Sequence, residues 1–186
     1  MKDTNPFTIT APQGYEEYRK NKKKGFIMKL IIGGFAQNKL SYVLSRLEQN
    51  MEMNLPPEQT ILDAYLLLDE TSTGIFAADS SDALQSDGFS ELLSGKDAVV
   101  VNHLHLIIQK TGSREHAEAW LRLLEEACAK EQTELIVICD ELGCGVIPAE
   151  KKDRIWREDV GRILCSLAAR AESVERIICG IPVRIR

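Results

Sequence analysis

A short apolar run that ends in acids and glycines constrains the fold of this chain more than any other feature. Residues 135–139 read Leu-Ile-Val-Ile-Cys, and Asp140-Glu141 and the turn Gly143-Cys144-Gly145 follow. Such a β-branched run is typical of a strand buried in a parallel sheet, and acids at its carboxyl end lie where open α/β sheets bind ligands. The same composition also fits a tight strand–helix connection with solvated acids. The residues that next recur at helical spacing are Ile155, Trp156, Val160, Ile163, Leu164 and Leu167.

Strands and helices alternate through the rest of the chain. Leu55–Glu70 is apolar all round after two prolines and fits either a buried helix or a strand. Alternation of this kind predicts an α/β fold with a mostly parallel sheet and helices on both faces. The other predicted elements are strands at Lys29–Ile32 and Asp97–Leu106, helices at Leu40–Met51 and Glu115–Lys130, and a closing strand pair at Ile177–Cys179 and Val183–Ile185.

A glycine turn and a lysine join the first strand to its helix. Residues 33–41 read Gly-Gly-Phe-Ala-Gln-Asn-Lys-Leu-Ser, and strand, glycine turn, lysine and helix are the layout of a phosphate-binding loop. Against the pattern Gly-x-x-x-x-Gly-Lys-Ser/Thr, Asn38 replaces the second glycine and Leu40 replaces the hydroxyl residue. Because Asn tolerates left-handed backbone geometry, we expect the loop shape to survive. Leucine cannot bind magnesium as the hydroxyl does. On the motif alone, an ordinary βα turn is the alternative.

Composition limits the partners and the compartment. The chain has 186 residues, 44% of them hydrophobic, and a net charge of −5, so it offers no general attraction for nucleic acid. No apolar run reaches the roughly 18–20 residues of a membrane span. Five cysteines without paired spacing indicate reduced thiols in the cytoplasm, and Cys139, Cys165 and Cys179 are predicted to be buried. Residues 1–27 are polar and predict a flexible N-terminal tail, with one domain over residues 28–186.

The order of residues after the strand at 135–139 resembles one family. Glu141–Pro148 reads Glu-x-Gly-x-Gly-x-x-Pro, and Arg154–Arg162 reads Arg-x-aromatic-Arg-acid-x-x-Gly-Arg. Cys179–Arg186, with its Gly-x-Pro and terminal basic residue, is similar to the family's closing strand. The family is the bifunctional adenosylcobinamide kinase/adenosylcobinamide-phosphate guanylyltransferase of cobalamin assembly. The resemblance is close over Leu135–Arg186, looser from residue 28 to residue 109, and absent before that.

The resemblance implies a P-loop, RecA-like sheet and a corrinoid substrate. Family members phosphorylate adenosylcobinamide with ATP or GTP and Mg²⁺, then move GMP onto the phosphate through a covalent histidine. They are trimers, so the resemblance also implies a homo-oligomer. Lys39 and Glu141 are the implied catalytic residues, since both match family residues. Asn102 replaces a metal-associated acid of the family. The implied nucleotide-binding residues are Gly33, Gly34, Phe35, Ala36, Gln37, Asn38, Lys39, Leu40 and Asn102.

The segment that carries the guanylylated histidine in the family has none here. Between Arg46 and Asp97 there is neither His nor Arg, so no covalent histidine is assigned. His103 and His105 with Asp140 or Glu141 could form a metal site, but two ligands two residues apart do not define one, and no metal ligand is assigned. His103 and His105, which the strand prediction puts on one strand face, are weaker candidates for a relocated nucleophile. Two functions therefore stay open: a nucleotide-dependent kinase/guanylyltransferase of corrinoid salvage, and a non-catalytic relative that binds a corrinoid, a nucleotide or a partner subunit. A nucleotide-binding regulator unrelated to corrinoids is a third.

Overall fold

Five parallel strands and one antiparallel edge strand form the sheet of this protein. The computed structural model describes residues 26–49, 59–67 and 86–186. The strand order is β2-β3-β4-β1-β5-β6, and only the β5–β6 pair is antiparallel. The strands are β1 (Met28–Gly33), β2 (Gln59–Asp63), β3 (Ala98–Asn102), β4 (Glu134–Asp140), β5 (Ser173–Ile178) and β6 (Ile181–Arg184).

Helices cover both faces of the sheet. Their bounds are α1 (Lys39–Gln49), α2 (Ala64–Leu67), α3 (Ser86–Leu93), α4 (Leu104–Thr111), α5 (Arg114–Glu131) and α6 (Lys151–Arg170). On one face, Val43 and Leu47 of α1 pack against Ile31, Val100 and Ile136. The larger core on the other face joins α3, α4, α5 and α6 to the alternate residues of the same strands. Because both faces of the central strands are covered, their sequences are apolar throughout rather than alternating.

The predicted α/β architecture is confirmed, and most predicted elements lie within a few residues of the observed ones. The apolar stripe of α5 is buried as its spacing predicts, with Trp120 and Leu124 almost fully enclosed. The ambiguous run at 55–70 contains a strand, β2, followed by the single turn α2 within the described residues. Ile27, which the sequence assigns to the tail, accepts a hydrogen bond from the backbone N–H of Leu135.

One predicted strand is too long. The strand expected over Asp97–Leu106 ends at Asn102, and α4 begins at Leu104. His103 between them has a left-handed backbone with φ 58°, which reverses the chain. Leu104, Ile107 and Ile108 are buried at helical spacing, and this packing prevails over the local Leu-His-Leu alternation. His103 and His105 therefore do not share a strand face.

The expectation for two of the cysteines was also wrong. Cys139 is buried in β4, but Cys165 and Cys179 are exposed. Cys165 lies on the outer face of α6, and Cys179 occupies the turn between β5 and β6 with φ 52°. Neither position faces the core, so a small apolar side chain there gains little from burial. Separately, among residues 26–49, 59–67 and 86–186, no helix is both long enough and apolar enough to cross a membrane.

Gly33 permits the close approach of β1 and β5 at the start of the loop. A Cβ atom at this position would lie 2.6 Å from the carbonyl oxygen of Ile177. We therefore expect Gly33→Ala to lower the free energy of unfolding by about 1–3 kcal/mol, as overpacking does, measured by urea denaturation. Gly161→Ala is the matched control, since a Cβ atom there meets nothing within 4 Å on the helix α6. That change should stabilise by about 0.4–1 kcal/mol. Equal changes in the free energy of unfolding for Gly33→Ala and Gly161→Ala would contradict the close contact between position 33 and the Ile177 carbonyl oxygen.

Candidate functional site

The connection between β1 and α1 has the turned shape of a phosphate-binding loop. Ala36 and Asn38 have left-handed backbones with φ 55° and 59°. Asn38 thus adopts the geometry that glycine supplies in the full motif, which Asn tolerates because its short polar side chain can bond locally. The Gln37 side-chain carbonyl accepts a hydrogen bond from the Cys179 N–H, and this contact ties the loop to the β5–β6 turn. Phe35 lies at the loop's exposed surface.

Lys39 is turned inward and ion-paired. Its Nζ lies 2.6 Å from Asp140 Oδ1 and donates a 2.7 Å hydrogen bond to the carbonyl oxygen of Gly34. Only 7% of each of the Lys39 and Asp140 side chains is exposed. The pairing follows from the sheet, because β1 and β4 are neighbours and Gly33 is the partner of Asp140 in register. The loop lysine is therefore neutralised by a carboxylate of the protein itself.

His105 continues this network on the other side of Asp140. Its Nδ1 accepts a 3.4 Å hydrogen bond from the backbone N–H of Asp140, and its Nε2 lies 3.7 Å from Asp140 Oδ2. The Trp156 indole N–H donates to the His105 carbonyl oxygen at 2.7 Å, so α6 holds the first turn of α4 in place. Burial lowers the pKa of His105, with the Asp140 charge acting in the opposite direction. His105 is accordingly neutral at pH 7.

A second polar cluster lies where β2 and β3 end. The Asn102 side-chain N–H₂ donates to Asp63 Oδ2 at 2.6 Å, and His103 Nδ1 lies 3.5 Å from the same oxygen, beyond hydrogen-bond range. Tyr65 packs edge-on against the His103 ring with centroids 4.8 Å apart. The Asn102 side chain is thus hydrogen-bonded to the Asp63 carboxylate through its amide nitrogen and not through its amide oxygen.

Two arginines of α6 fix the glycine loop that follows β4. Arg157 donates to the carbonyl oxygens of Gly143, Gly145 and Val146, and Arg154 donates to those of Pro148 and Ala149. The loop is therefore held by side chains that start one helical turn apart. Val146 and Ile147 remain exposed at its tip, at 94% and 73%.

Glu141 faces β5 rather than the Lys39 pair. Its Oε2 accepts a 2.7 Å charge-assisted hydrogen bond from Arg176 Nε, and its backbone N–H donates to the Gly33 carbonyl oxygen at 2.9 Å. The two implied catalytic residues thus belong to different ion pairs at the same sheet edge. Both pairs lie at the carboxyl ends of β1, β4 and β5, where ligands bind in open α/β sheets.

The residues present do not fit magnesium in the way the family resemblance implies. Leu40 packs against the core under α1, and Asn102 is bonded to Asp63. In the described part of the chain no group of three or more His, Cys, Asp or Glu residues could hold a metal ion. Leucine has no oxygen to offer, and a hydrogen-bonded amide does not neutralise a divalent cation.

The network contains residues whose role in it is not predicted by any sequence pattern. From the sequence, Asp140 is an acid at a strand end that could join the two histidines in a metal site, and no pattern singles out Asp63 or Arg176. The position of Asp140 at the end of an apolar run was a usable signal, but its partner depended on which strand lay beside β4. Asp63 lay in the run whose secondary structure was ambiguous. Lys39, Glu141, Asn102 and the loop from Gly33 to Leu40 all lie at the predicted edge.

The sheet order, the loop after β1 and the helices on both faces define an α/β protein of the P-loop type. Residues 81–185 match the family described as cobinamide kinase / cobinamide phosphate guanyltransferase, and since this is more than half of the chain, the chain belongs to that family. The matched residues include the strands β3, β4 and β5, whose ends form part of the site, but not the loop at Gly33–Leu40.

Two curated relatives are similar over a shorter stretch. The bifunctional adenosylcobalamin biosynthesis protein CobU of Salmonella typhimurium strain LT2 is 30% identical over 66 residues, which is 36% of each chain. The protein of the same name from Escherichia coli strain K12 is 31% identical over 68 residues, 37% of this chain and 38% of that one. The similarity thus spans little more than a third of the length of these relatives.

Breaking the Lys39–Asp140 pair should destabilise the fold strongly. Lys39→Met leaves the Asp140 carboxylate buried without its counter-charge, so we expect the free energy of unfolding to fall by about 3–5 kcal/mol. Adding Asp140→Leu to this variant should recover most of the loss, because an apolar pair replaces an ion pair well. Arg162→Met, which breaks the solvent-exposed pair with Glu158, is the control and should change little. Similar losses in the free energy of unfolding for Lys39→Met and Arg162→Met would show that the buried pair stabilises the fold no more than the exposed pair does.

Proposed function

We propose that this protein is a nucleotide-binding member of its family that acts in cobalamin biosynthesis and binds the triphosphate of ATP or GTP at the Gly33–Leu40 loop without magnesium. The observation that carries the proposal is the loop itself. It keeps left-handed residues at Ala36 and Asn38 and its lysine at the β1–β4 edge. Backbone N–H groups at the start of α1 and the Lys39 ammonium are the groups that would bind phosphate oxygens. Adenosylcobinamide is the corrinoid that the family relationship suggests as the second ligand.

Kinase turnover is the second candidate function. It is favoured by Glu141, whose carboxylate lies at the same edge and would accept the proton of an attacking hydroxyl. Against efficient turnover stand Leu40 and Asn102, which leave the developing phosphoryl charge without the family's metal. The Arg176 partner also directs the Glu141 carboxylate toward β5.

A turnover assay separates these two candidates. Purified protein is incubated with adenosylcobinamide, ATP or GTP, and magnesium, and products are followed by mass. We expect no phosphorylated corrinoid above the rate without protein. Product formation that is lost in Glu141→Gln would establish the kinase instead.

Triphosphate binding should not depend on magnesium. Leu40 cannot coordinate the ion and Asn102 cannot neutralise it, whereas Lys39 and the helix N-terminus still attract phosphate. Calorimetric titration with ATP and GTP, each with and without magnesium, should give weak affinities that agree within about twofold. The Asn38→Gly/Leu40→Ser variant is the matched gain-of-function control and should bind more tightly in the presence of magnesium. Tight binding by the natural chain that requires magnesium would refute the proposal.

No covalent GMP adduct should form. A phosphoramidate needs an imidazole in line with the α-phosphate, and the part of the chain between Arg46 and Asp97 has none. His105 is buried beneath Asp140, and His103 lies beside Asp63, whose charge repels a triphosphate. Incubation with α-labelled GTP and magnesium, followed by denaturation, should leave the protein unlabelled. Acid-labile label that disappears in His103→Ala or His105→Ala would identify a relocated nucleophile.

A further inference from the structure

A buried three-residue network stands between the phosphate-binding loop and the β3 side of the sheet edge. Lys39 pairs with Asp140 on the α1 face, and Asp140 in turn lies against His105 at the start of α4. All three are among the few buried polar or charged residues of the described chain. Since a buried charge is tolerated only with a partner, a change in the contacts of one of the three affects the other two.

Phosphate binding at the loop would remove the partner of Asp140. The Lys39 ammonium cannot hold both the Asp140 carboxylate at 2.6 Å and an incoming phosphate with equal strength. Once the ammonium turns toward phosphate, Asp140 is left as a buried negative charge beside a second anion. Both burial and the like charge favour its neutral form.

We propose that Asp140 is an internal counterion that phosphate must displace from Lys39, and that the Asp140–His105 pair takes up one proton as this exchange occurs. The inference rests on the proposed function, because it assigns a regulating pair to the same site. Its direct consequence is that phosphate binds more tightly as the pH falls. Asp140 then acts as a selectivity element that weakens binding of highly charged phosphates at neutral and alkaline pH.

The surroundings of His105 make the pair able to accept that proton. Burial is the main cause of its lowered pKa; Asp140 of β4 raises the pKa, while His103 and Lys39 lower it. From α6 the neighbour is the uncharged indole of Trp156, and Asp63 of β2 lies beyond His103. Because Nδ1 accepts from the Asp140 N–H, the neutral ring carries its proton on Nε2, on the side of Asp140 Oδ2. The Asp140–His105 pair therefore carries one negative charge before phosphate binds, and it can accept one proton.

Calorimetry with inorganic tripolyphosphate in the absence of magnesium tests the exchange. Titrations at pH 6, 7 and 8, in two buffers of different ionisation enthalpy, give the affinity and the number of protons taken up. Asp140→Asn removes the carboxylate, and its own pH dependence reports the protonation of the ligand and of every group other than Asp140. Glu158→Gln, an equivalent change at an exposed ion pair, is the matched control.

The natural chain should take up about one more proton per bound ligand than Asp140→Asn does. For each unit by which the pH falls, the affinity of the natural chain should therefore increase by a factor about ten times larger than the factor for Asp140→Asn. At pH 8, Asp140→Asn should bind at least about tenfold more tightly than the natural chain, because Lys39 is no longer neutralised. Glu158→Gln should behave as the natural chain. Equal affinity and equal pH dependence for the natural chain and Asp140→Asn would overturn the exchange and leave the proposed phosphate site intact. Absence of binding in both proteins would remove the proposed function and the exchange together.

A measurement on the free protein tests the same coupling without any ligand. In Lys39→Met the Asp140–His105 pair loses its cation, so the pair should take up a proton at a higher pH than in the natural chain, followed by NMR titration of both side chains. Unchanged titration of both His105 and Asp140 in Lys39→Met would refute the coupling whatever the phosphate experiments give. Lys39→Arg keeps the cation and is the matched control, so it should leave the His105 pKa lowered as in the natural chain.

Discussion

The parallel pairing of β1 with β4 is the constraint on which the site depends. It aligns Gly33 with Asp140, so the loop after β1 begins beside a carboxylate at the end of β4. Lys39, the first residue of α1, then reaches Asp140 at 2.6 Å, and the Glu141 N–H bonds back to the Gly33 carbonyl. Because this pairing is buried on both faces, the two ends cannot shift relative to each other without breaking sheet hydrogen bonds. The ion pair is thus a consequence of the sheet order.

The departures from the phosphate-loop motif are each accommodated by local structure. Asn38 supplies the left-handed backbone, and Leu40 turns its side chain into the core beneath α1. Asn102 is satisfied by the carboxylate of Asp63. As a result the loop keeps its course while the groups that favour a metal are absent from these positions. The loop can keep its shape without its metal-binding groups, because the shape depends on backbone angles and metal binding depends on a few side chains.

Much of the fold could be predicted from the sequence, because apolar runs and helical stripes are local signals. The strand at 135–139, the stripe of α5 and the closing strand pair are examples. The strand predicted over Asp97–Leu106 failed at His103, where a left-handed residue starts a helix whose burial prevails over a local alternation. The burial predicted for Cys165 and Cys179 was wrong, because exposure depends on which side of α6 or of a hairpin faces solvent. The candidate loop and Glu141 lie at one edge of the sheet, since the carboxyl ends of parallel strands meet there.

The sequence by itself determined the α/β class, the glycine loop with its lysine, and the acids at the end of β4, since all of these follow from short-range pattern. Only the tertiary structure decided which charges meet. Strand order brings Asp140 rather than Glu141 to Lys39, gives Glu141 to Arg176, and sets His105 behind Asp140. The physical reason is that an ion pair depends on distances of a few ångströms between residues about 35–100 positions apart, and these distances are fixed by sheet register and helix packing, which no local pattern encodes.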